Sequence, residues 1–427
     1  MLIVLGLVIF SALIMGVPVA FSLGLGGAAA LLFGSDVSPL LVLGGRIFRG
    51  MESFPLMAIP FFILSGELMG VSITTRIVNF ASSLVGHIRG GLSQVTVVAS
   101  LFFGGITGVG VAETAAIGSV MIPAMEKKGY KRSFAASLVA ASSTLGPIVP
   151  PSVPMVIYAL AVGGGVSIAS LFLAGIIPAI LIAISFMILS YVIARIANHP
   201  TEGEFSLKNV WITLKKATFA LLMPVIILGG IVSGLVTATE AAVVAVVYAL
   251  FIGFFVHKDL EIKNLPRYLV NASVITSVVM MLLGIAKVIS WILTVEGFPK
   301  MLSESLQSLT SSPLMFLFIT AGILFLVGCF VEGSAAIIML APVLAPISLT
   351  FGIDPTHFGF AMVMNLMLGM ITPPVGVILF VASGIANVKL EDILKEIWPY
   401  ILVAYGVLIL VILFPEITLF VPRLLGY

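Results

Sequence analysis

The chain has 427 residues, of which 60% are hydrophobic and only 9% charged, with a formal net charge of +2. A soluble domain carries roughly 25% charged residues, so this composition excludes an ordinary aqueous surface, and the few basic residues lie in short loops that offer no face to nucleic acid. The single cysteine, Cys329, excludes a disulfide framework and cannot assemble a metal cluster alone.

Taken in chain order, the first basic residue is Arg46. The apolar start therefore lacks the charged n-region of a cleavable signal, and residues 2–15 read as a retained helix. Apolar runs long enough to span a bilayer recur at 168–194, 236–256, 268–292 and 397–421. Between them are two interrupted regions. The run GGITGVGVAET (104–114) supplies Gly104, Gly105, Gly108 and Gly110, which suit the tight tip of a re-entrant hairpin over about 90–125. In SSTLGPIVPPS (142–152), Pro147, Pro150 and Pro151 cannot continue a regular helix, so 133–163 reads as a broken one. A connecting segment covers 195–217. The pattern then returns, with GCFVEGSAA (328–336) in a hairpin at about 313–348 and GMITPPVG (369–376) in a broken helix at about 356–388.

The return is a repeat. GPIVPP (146–151) matches GMITPP (369–374) at a spacing of 223, as Gly129 matches Gly352. Further upstream a spacing of 219 pairs Glu113 with Glu332 and leaves Pro123 ambiguous between Pro342 and Pro346; a four-residue difference in a loop would explain the shift. The loop after the first hairpin carries Lys127, Lys128, Lys131 and Arg132, whereas its counterpart carries only Asp354 and His357. Basic loops mark the cytoplasmic side, so the two halves, 1–194 and 218–427, have opposite topology. The threading that starts outside puts 15 of the 20 basic residues inside and both termini in the periplasm. The fold class expected is an all-α polytopic membrane protein of two inverted repeats, the architecture of many secondary transporters.

In such proteins the breaks bind the cargo. A broken helix frees carbonyls that survive in a membrane only inside protein or beside a polar cavity, and carbonyl oxygens suit a hard cation. Five ionisable residues lie within the apolar regions, Glu67, Glu113, Glu240, Lys287 and Glu332, and such residues point to function. Glu113 and Glu332 would either shape the cation or substrate pocket or hold the tips by accepting backbone amides. Glu67 and Lys287 would form an ion pair across the repeat axis. Glu240, in TATEAA, would cap a helix. The four histidines are not spaced as metal ligands, and no Ser-His-Asp set, HExxH or phosphate loop occurs, so an enzyme or ATPase is not expected.

Residues GVPVAF (16–21), IPFFILSGELM (59–69), AAIGSVMIPAMEKKGY (115–130), GPIVPPSVPMVIY (146–158), GLVTATEAA (234–242) and GMITPPVGVILF (369–380) carry a family likeness along nearly the whole chain. The sequence resembles the large membrane subunit of tripartite ATP-independent periplasmic (TRAP) transporters, in the ion-transporter superfamily of elevator proteins. The resemblance implies a bacterial inner-membrane protein with three kinds of partner: a small four-helix membrane subunit, which should be a separate chain, a periplasmic substrate-binding protein, and an organic acid solute. It implies sodium as coupling ion, at about two sites. The first would use Thr107, Val109, Gly146, Val149 and Pro151, mostly through carbonyls. The second would use Gly328, Glu332, Gly369, Thr372 and Pro374. Many relatives have adjacent serines at the first tip, where this chain reads TGVG (107–110), which favours backbone over side-chain ligation. No arginine lies near either tip, so Glu113, Ser142, Ser143, Thr144, Ser152 and Thr372 are the candidate substrate contacts. The scaffold would comprise helices near 1–35, 42–89, 168–194, 218–310 and 396–421. The alternatives are an ion-coupled organic-anion carrier that works without a binding protein and, more remotely, an intramembrane enzyme.

Overall fold

The computed structural model describes residues 1–34 and 39–427, and among these it is helical with no strand. Residue 35, the last of the first scaffold stretch expected, lies outside the described residues. The first half contains α1 (Leu2–Ile14), α2 (Val19–Gly34), α3 (Pro39–Met51), α4 (Ala58–Val85), the hairpin α5 (Gly91–Thr107) and α6 (Gly110–Lys127), the broken pair α7 (Arg132–Ser142) and α8 (Val153–Val162), and α9 (Ile168–Ile196). The second half contains α10 (Leu207–Val232), α11 (Ala238–Phe251), α12 (Leu265–Val295), α13 (Phe298–Leu309), the hairpin α14 (Pro313–Phe330) and α15 (Gly333–Thr350), the broken pair α16 (Pro355–Gly369) and α17 (Val377–Ala386), α18 (Leu390–Leu413) and α19 (Glu416–Leu424). Seven helices among the described residues are long and apolar enough to cross a membrane, or eight if the pair 43–51 and 54–70, bent by 63°, counts as one span. Large apolar side chains such as Val270, Val274 and Val278, one turn apart on α12, face outward, as expected of a multi-pass protein whose solvent is lipid.

Helix α9 shows that the hairpins enter from opposite faces. Its 29 residues rise about 43 Å. At its start, the Ser170 hydroxyl lies 3.3 Å from that of Thr356, near the base of the second hairpin. Beyond its end, the His199 ring packs on Tyr130 at 4.0 Å, beside the base of the first. The basic loops gather on that first face. Lys128 pairs with Glu202 at 3.1 Å and Lys131 with Glu396 at 3.5 Å. The Gly91 N–H donates to the Pro200 carbonyl at 3.1 Å, and the Glu202 N–H to the Gly86 carbonyl at 2.8 Å. The non-helical connector is thus 197–206, laced to the first hairpin, while Lys208, Lys215 and Lys216 ride on α10.

Burial holds the pKa of His199 below the ordinary histidine value. The unfolded chain therefore takes up a proton as pH falls below about 6.5, before the folded one does, and stability is lost in that direction. The drop in melting temperature from about pH 7.5 to about pH 5.5 should be smaller in His199→Phe, which keeps a ring and cannot titrate. An unchanged drop would show that His199 does not contribute.

Of the readings made for the membrane charges, one holds and one does not. Glu240 does cap a helix: its Oε2 accepts the Thr237 N–H at 2.7 Å, while the Glu240 N–H donates to the Thr237 hydroxyl at 3.3 Å. Losing such a cap costs about 0.5–2 kcal/mol, so Thr237→Ala should lower the melting temperature by about 1–4 °C, read by thermal unfolding of the purified protein. Glu67 and Lys287, by contrast, do not pair. Glu67 accepts from Asn271 Nδ2 at 3.5 Å. Lys287 lies 16 residues further along the same helix, about 24 Å away at 1.5 Å per residue.

Helices α9 and α18 also depart from the expected scaffold. A Cβ on Gly175 of α9 would stand 2.6 Å from the Ile148 carbonyl oxygen in the first break. Gln94 on α5 donates to the Met187 carbonyl at 3.0 Å, Tyr400 on α18 meets Ser190 on α9 at 3.0 Å, and Ser137 on α7 reaches the Ile393 carbonyl at 3.4 Å. Both helices therefore pack with the hairpins and broken helices, whereas α1–α3 and α10–α12 pack mainly among themselves and with α4, which also runs along α5 of the first hairpin, as α13 does along α15 of the second. Helices α3 and α13 have no counterpart in the other half.

Candidate functional site

At the first tip, α5 stops at Thr107. Gly108 turns the chain with φ +62°, and Val109, extended, starts α6. At the first break, α7 ends at Ser142, residues 143–145 form a tighter turn, and the chain runs irregularly through a cis Pro150–Pro151 peptide. Ser152 restarts the helix by accepting the Met155 N–H at 3.4 Å.

Tip and break touch through backbone, which only glycine allows. A Cβ on Gly104 would stand 2.9 Å from Gly146 Cα, one on Gly108 2.7 Å from the Pro151 carbonyl oxygen, and one on Gly110 3.0 Å from the Ser143 carbonyl oxygen. Val149 packs under Gly105. The structure thus brings Val109, Gly146, Val149 and Pro151 to one junction. Thr107 is there too, backed by Gly66 of α4, with its hydroxyl turned to the Phe103 carbonyl at 3.5 Å.

Glu113 sits one turn into α6, fully buried, with its carboxylate against Gly146. The Ser100 hydroxyl stands by this carboxylate, yet among the described residues no hydrogen bond closes on either Glu113 oxygen or on the buried hydroxyls of Ser100 and Ser142. Buried polar groups without partners are rare in folded proteins and call for an explanation such as an ion or ligand. The other predicted substrate contacts of this half are already engaged. Ser143 donates to the Val139 carbonyl at 2.8 Å, Thr144 to Ala141 at 2.7 Å, and Ser152 to Pro147 at 2.5 Å. Ser100 was missed by sequence reasoning; it lies inside an ordinary helical run, and nothing local marks it.

The second tip is built alike. Helix α14 ends at Phe330, Val331 is extended, and Glu332 caps α15. Glu332 Oε2 accepts the Ala335 N–H at 3.0 Å, and Oε1 accepts the Ser334 hydroxyl at 3.0 Å. Of the two roles left open for this acid, holding the tip is the one its bonds serve. The second break follows Gly369, contains a cis Pro373–Pro374 peptide, and restarts at Gly376 with φ +56°. A Cβ on Gly369 would stand 2.7 Å from Gly328 Cα, and the Val375 N–H donates to the Cys329 carbonyl at 3.2 Å. Gly328 and Gly369 are therefore in contact, with Pro374 beside them in the chain. The Thr372 hydroxyl donates to the Leu368 carbonyl at 2.9 Å.

These boundaries correct the repeat register. Helices α6 and α15 both have 18 residues, and each is followed by four residues before the next helix. The 223 spacing therefore holds from tip to break, and Pro123 matches Pro346. Glu332 matches Val109, and Glu113 matches Ala336, so the two acids are not equivalents and no loop differs in length.

The halves interlock. A Cβ on Gly110 of α6 would stand 2.9 Å from Ile378 Cδ1 of α17, and α15 packs along α8. Each hairpin's second arm thus lies against the half-helix that follows the other repeat's break.

Residues 6–417 match the family described as tripartite ATP-independent periplasmic transporter, DctM component. The chain belongs to this family. As a TRAP large permease chain it is 39% identical to the C4-dicarboxylate TRAP transporter large permease protein DctM of Pseudomonas aeruginosa, covering 95% of this chain and 94% of that one. It is also 39% identical to the sialic acid TRAP transporter large permease protein SiaM of Vibrio cholerae, covering 96% of each. The crystal structure of the YdaH transporter of Alcanivorax borkumensis shares the fold, with a TM-score of 0.62 at 14% identity, over 88% of this TRAP chain and 89% of that one.

Proposed function

We propose that the chain imports a small organic acid with sodium, as the membrane unit of a tripartite system fed by a periplasmic binding protein and braced by a small membrane subunit. The observation that carries the reading is the junction at Gly146. A glycine-only contact there leaves the Glu113 carboxylate, with no hydrogen-bond partner among the described residues, beside the first tip together with the Pro151 carbonyl oxygen and the Ser143 carbonyl oxygen, which also accepts the Gly146 N–H at 3.3 Å. Such a set of oxygens suits a hard cation, so Val109, Gly146, Val149 and Pro151 would line the first sodium site with Thr107 behind. Gly328, Gly369, Thr372 and Pro374 would line the second, with Glu332 holding its tip. Sodium, itself cargo, would bind tip to break at each junction and complete a pocket that Ser142 and Thr372 border.

The packing supports an elevator cycle. The hairpins, broken helices, α9, α18 and α19 form one body, and α1–α4 with α10–α13 form a frame against which it would slide. The basic face at 127–132 would be cytoplasmic. The organic acids named for the two relatives set the solute class. The test is uptake into proteoliposomes holding this chain and its small subunit, with the binding protein outside. Uptake requiring both sodium and the binding protein is expected. Full uptake without sodium would overturn the coupling, and sodium-driven uptake without the binding protein would move the chain to the lone-carrier alternative.

A further inference from the structure

A cavity of about 550 Å³ lies between the bend that joins α3 to α4, the helix α12, and the turn from α8 to α9. Arg49, Ser53 and Lys287 supply polar groups to its wall, and Leu56 and Leu283 supply apolar ones. The two cations are brought there by glycine. A Cβ on Gly50 would stand 2.9 Å from Lys287 Cγ and 3.1 Å from Gly284 Cα, so α3 and α12 meet closely and the lysine stem lies along the residue next to Arg49. The facing wall includes Gly163 and Gly164, at φ +84° and +103°, with open space where a side chain would stand.

Neither cation is neutralised. Among the described residues no acid pairs with Arg49 or Lys287. Glu296, the acid at the end of α12, is engaged by the Met1 amine at 3.4 Å. Glu52 is exposed and does not line the cavity. Lys287 lies eight residues before the end of α12, about 12 Å along the helix, in an apolar span. Both side chains are exposed, and two cations that line one cavity in an apolar span with no acid between them attract an anion. Arg46, one turn before Arg49, is instead occupied over the Trp291 ring at 4.3 Å.

We propose that this cavity is a vestibule that binds the carboxylate of a small organic acid before it reaches the hairpin tips. The inference rests on the organic-acid reading above. Arg49 and Lys287 stand on the frame, while Gly163 and Gly164 belong to the body that carries the first break, so a bound acid would be held where the two meet. It also supplies the cationic contact that both tips lack.

The test separates this site from transport. Saturation-transfer NMR would be recorded with succinate as probe on the permease and its small subunit, in phosphatidylcholine nanodiscs without sodium. Signal is expected for succinate and not for the uncharged succinamide. It should fall roughly tenfold in the double variant Arg49→Gln with Lys287→Gln, as loss of charge-assisted contacts predicts. The charge-keeping pair Arg49→Lys with Lys287→Arg should retain it, which controls for folding, and Glu113→Gln should leave it unchanged. Equal signal in the double Gln variant, or none in the wild type, would overturn the proposal. Loss of the wild-type signal in phosphatidylglycerol nanodiscs would also overturn it, by placing a lipid headgroup in the cavity. Failure of sodium-driven uptake with this binding intact would count against the proposed function alone.

Discussion

Gly369→Ala is expected to abolish most sodium-driven uptake while leaving the protein in the membrane. The added Cβ would stand 2.7 Å from both Gly328 Cα and Gly328 carbonyl carbon, and 2.8 Å from that carbonyl oxygen. All three are backbone atoms, so no side chain can swing aside. Overpacking of this kind costs about 1–3 kcal/mol, and here the cheapest relief is to move the tip off the break, away from the geometry a cation would need. A misplacement of about 1 Å can lower a rate by about 100-fold, so at least a tenfold loss is expected. Gly104→Ala, 2.9 Å from Gly146 Cα, should behave alike at the first junction. Gly384, with nothing within 4 Å, is the control, and Gly384→Ala should keep uptake. Full uptake by Gly369→Ala at normal abundance would mean that the tip need not touch the break.

Glu113→Gln is expected to remove most of the stabilisation that sodium would confer. A carboxylate that stays ionised beside Gly146, buried and without a hydrogen-bond partner, needs a counter-ion there, and without one a buried acid takes up a proton instead. The amide carries no charge to desolvate. In the wild type a bound sodium ion would supply that counter-ion, and ligand at 100 times its Kd adds about 2.7 kcal/mol. Melting temperatures measured with sodium, and with choline in its place, would show the wild type responding strongly and the variant weakly. A variant that responds to sodium as the wild type does would place Glu113 outside any sodium site. Because Glu332 already spends both oxygens on its own helix, Glu332→Gln should keep the sodium response and lose only tip stability.

The architecture was legible in the sequence because bilayers and proline leave few options. Apolar runs of the right length must be helices, and Pro147, Pro150 and Pro151 must break one. The duplicated proline motif located both breaks, and the loop charges gave the inversion. The register between Glu113 and Glu332 was misread because alanine-rich sequence matches itself at several offsets, whereas helix caps do not: Val109 and Glu332 both stand at the cap. The Glu67–Lys287 pair failed because sequence shows that two charges are embedded but not how far apart their helix positions lie in depth. The cavity at Arg49 and Lys287 needs three separate chain segments and leaves no motif. A hint exists in the strong amphipathic pattern of α3, with Arg46 and Arg49 three residues apart on one side, but that pattern alone does not say what the side faces. Helices α9 and α18 were assigned to the scaffold because an unbroken apolar run looks alike wherever it packs.

The interlocking of the halves has a consequence for biosynthesis. Helices α6 and α8 are made early, but their partners α17 and α15 lie in the second half. The second proline motif follows the first by 223 residues, and at about 5–20 residues per second the ribosome needs about 10–45 s to reach it. Over that interval the first break holds freed carbonyls in a bilayer with its final neighbour still unmade. A chaperone or insertase that shelters re-entrant segments would act in that window, and slowing translation in the second half should increase degradation of the nascent chain.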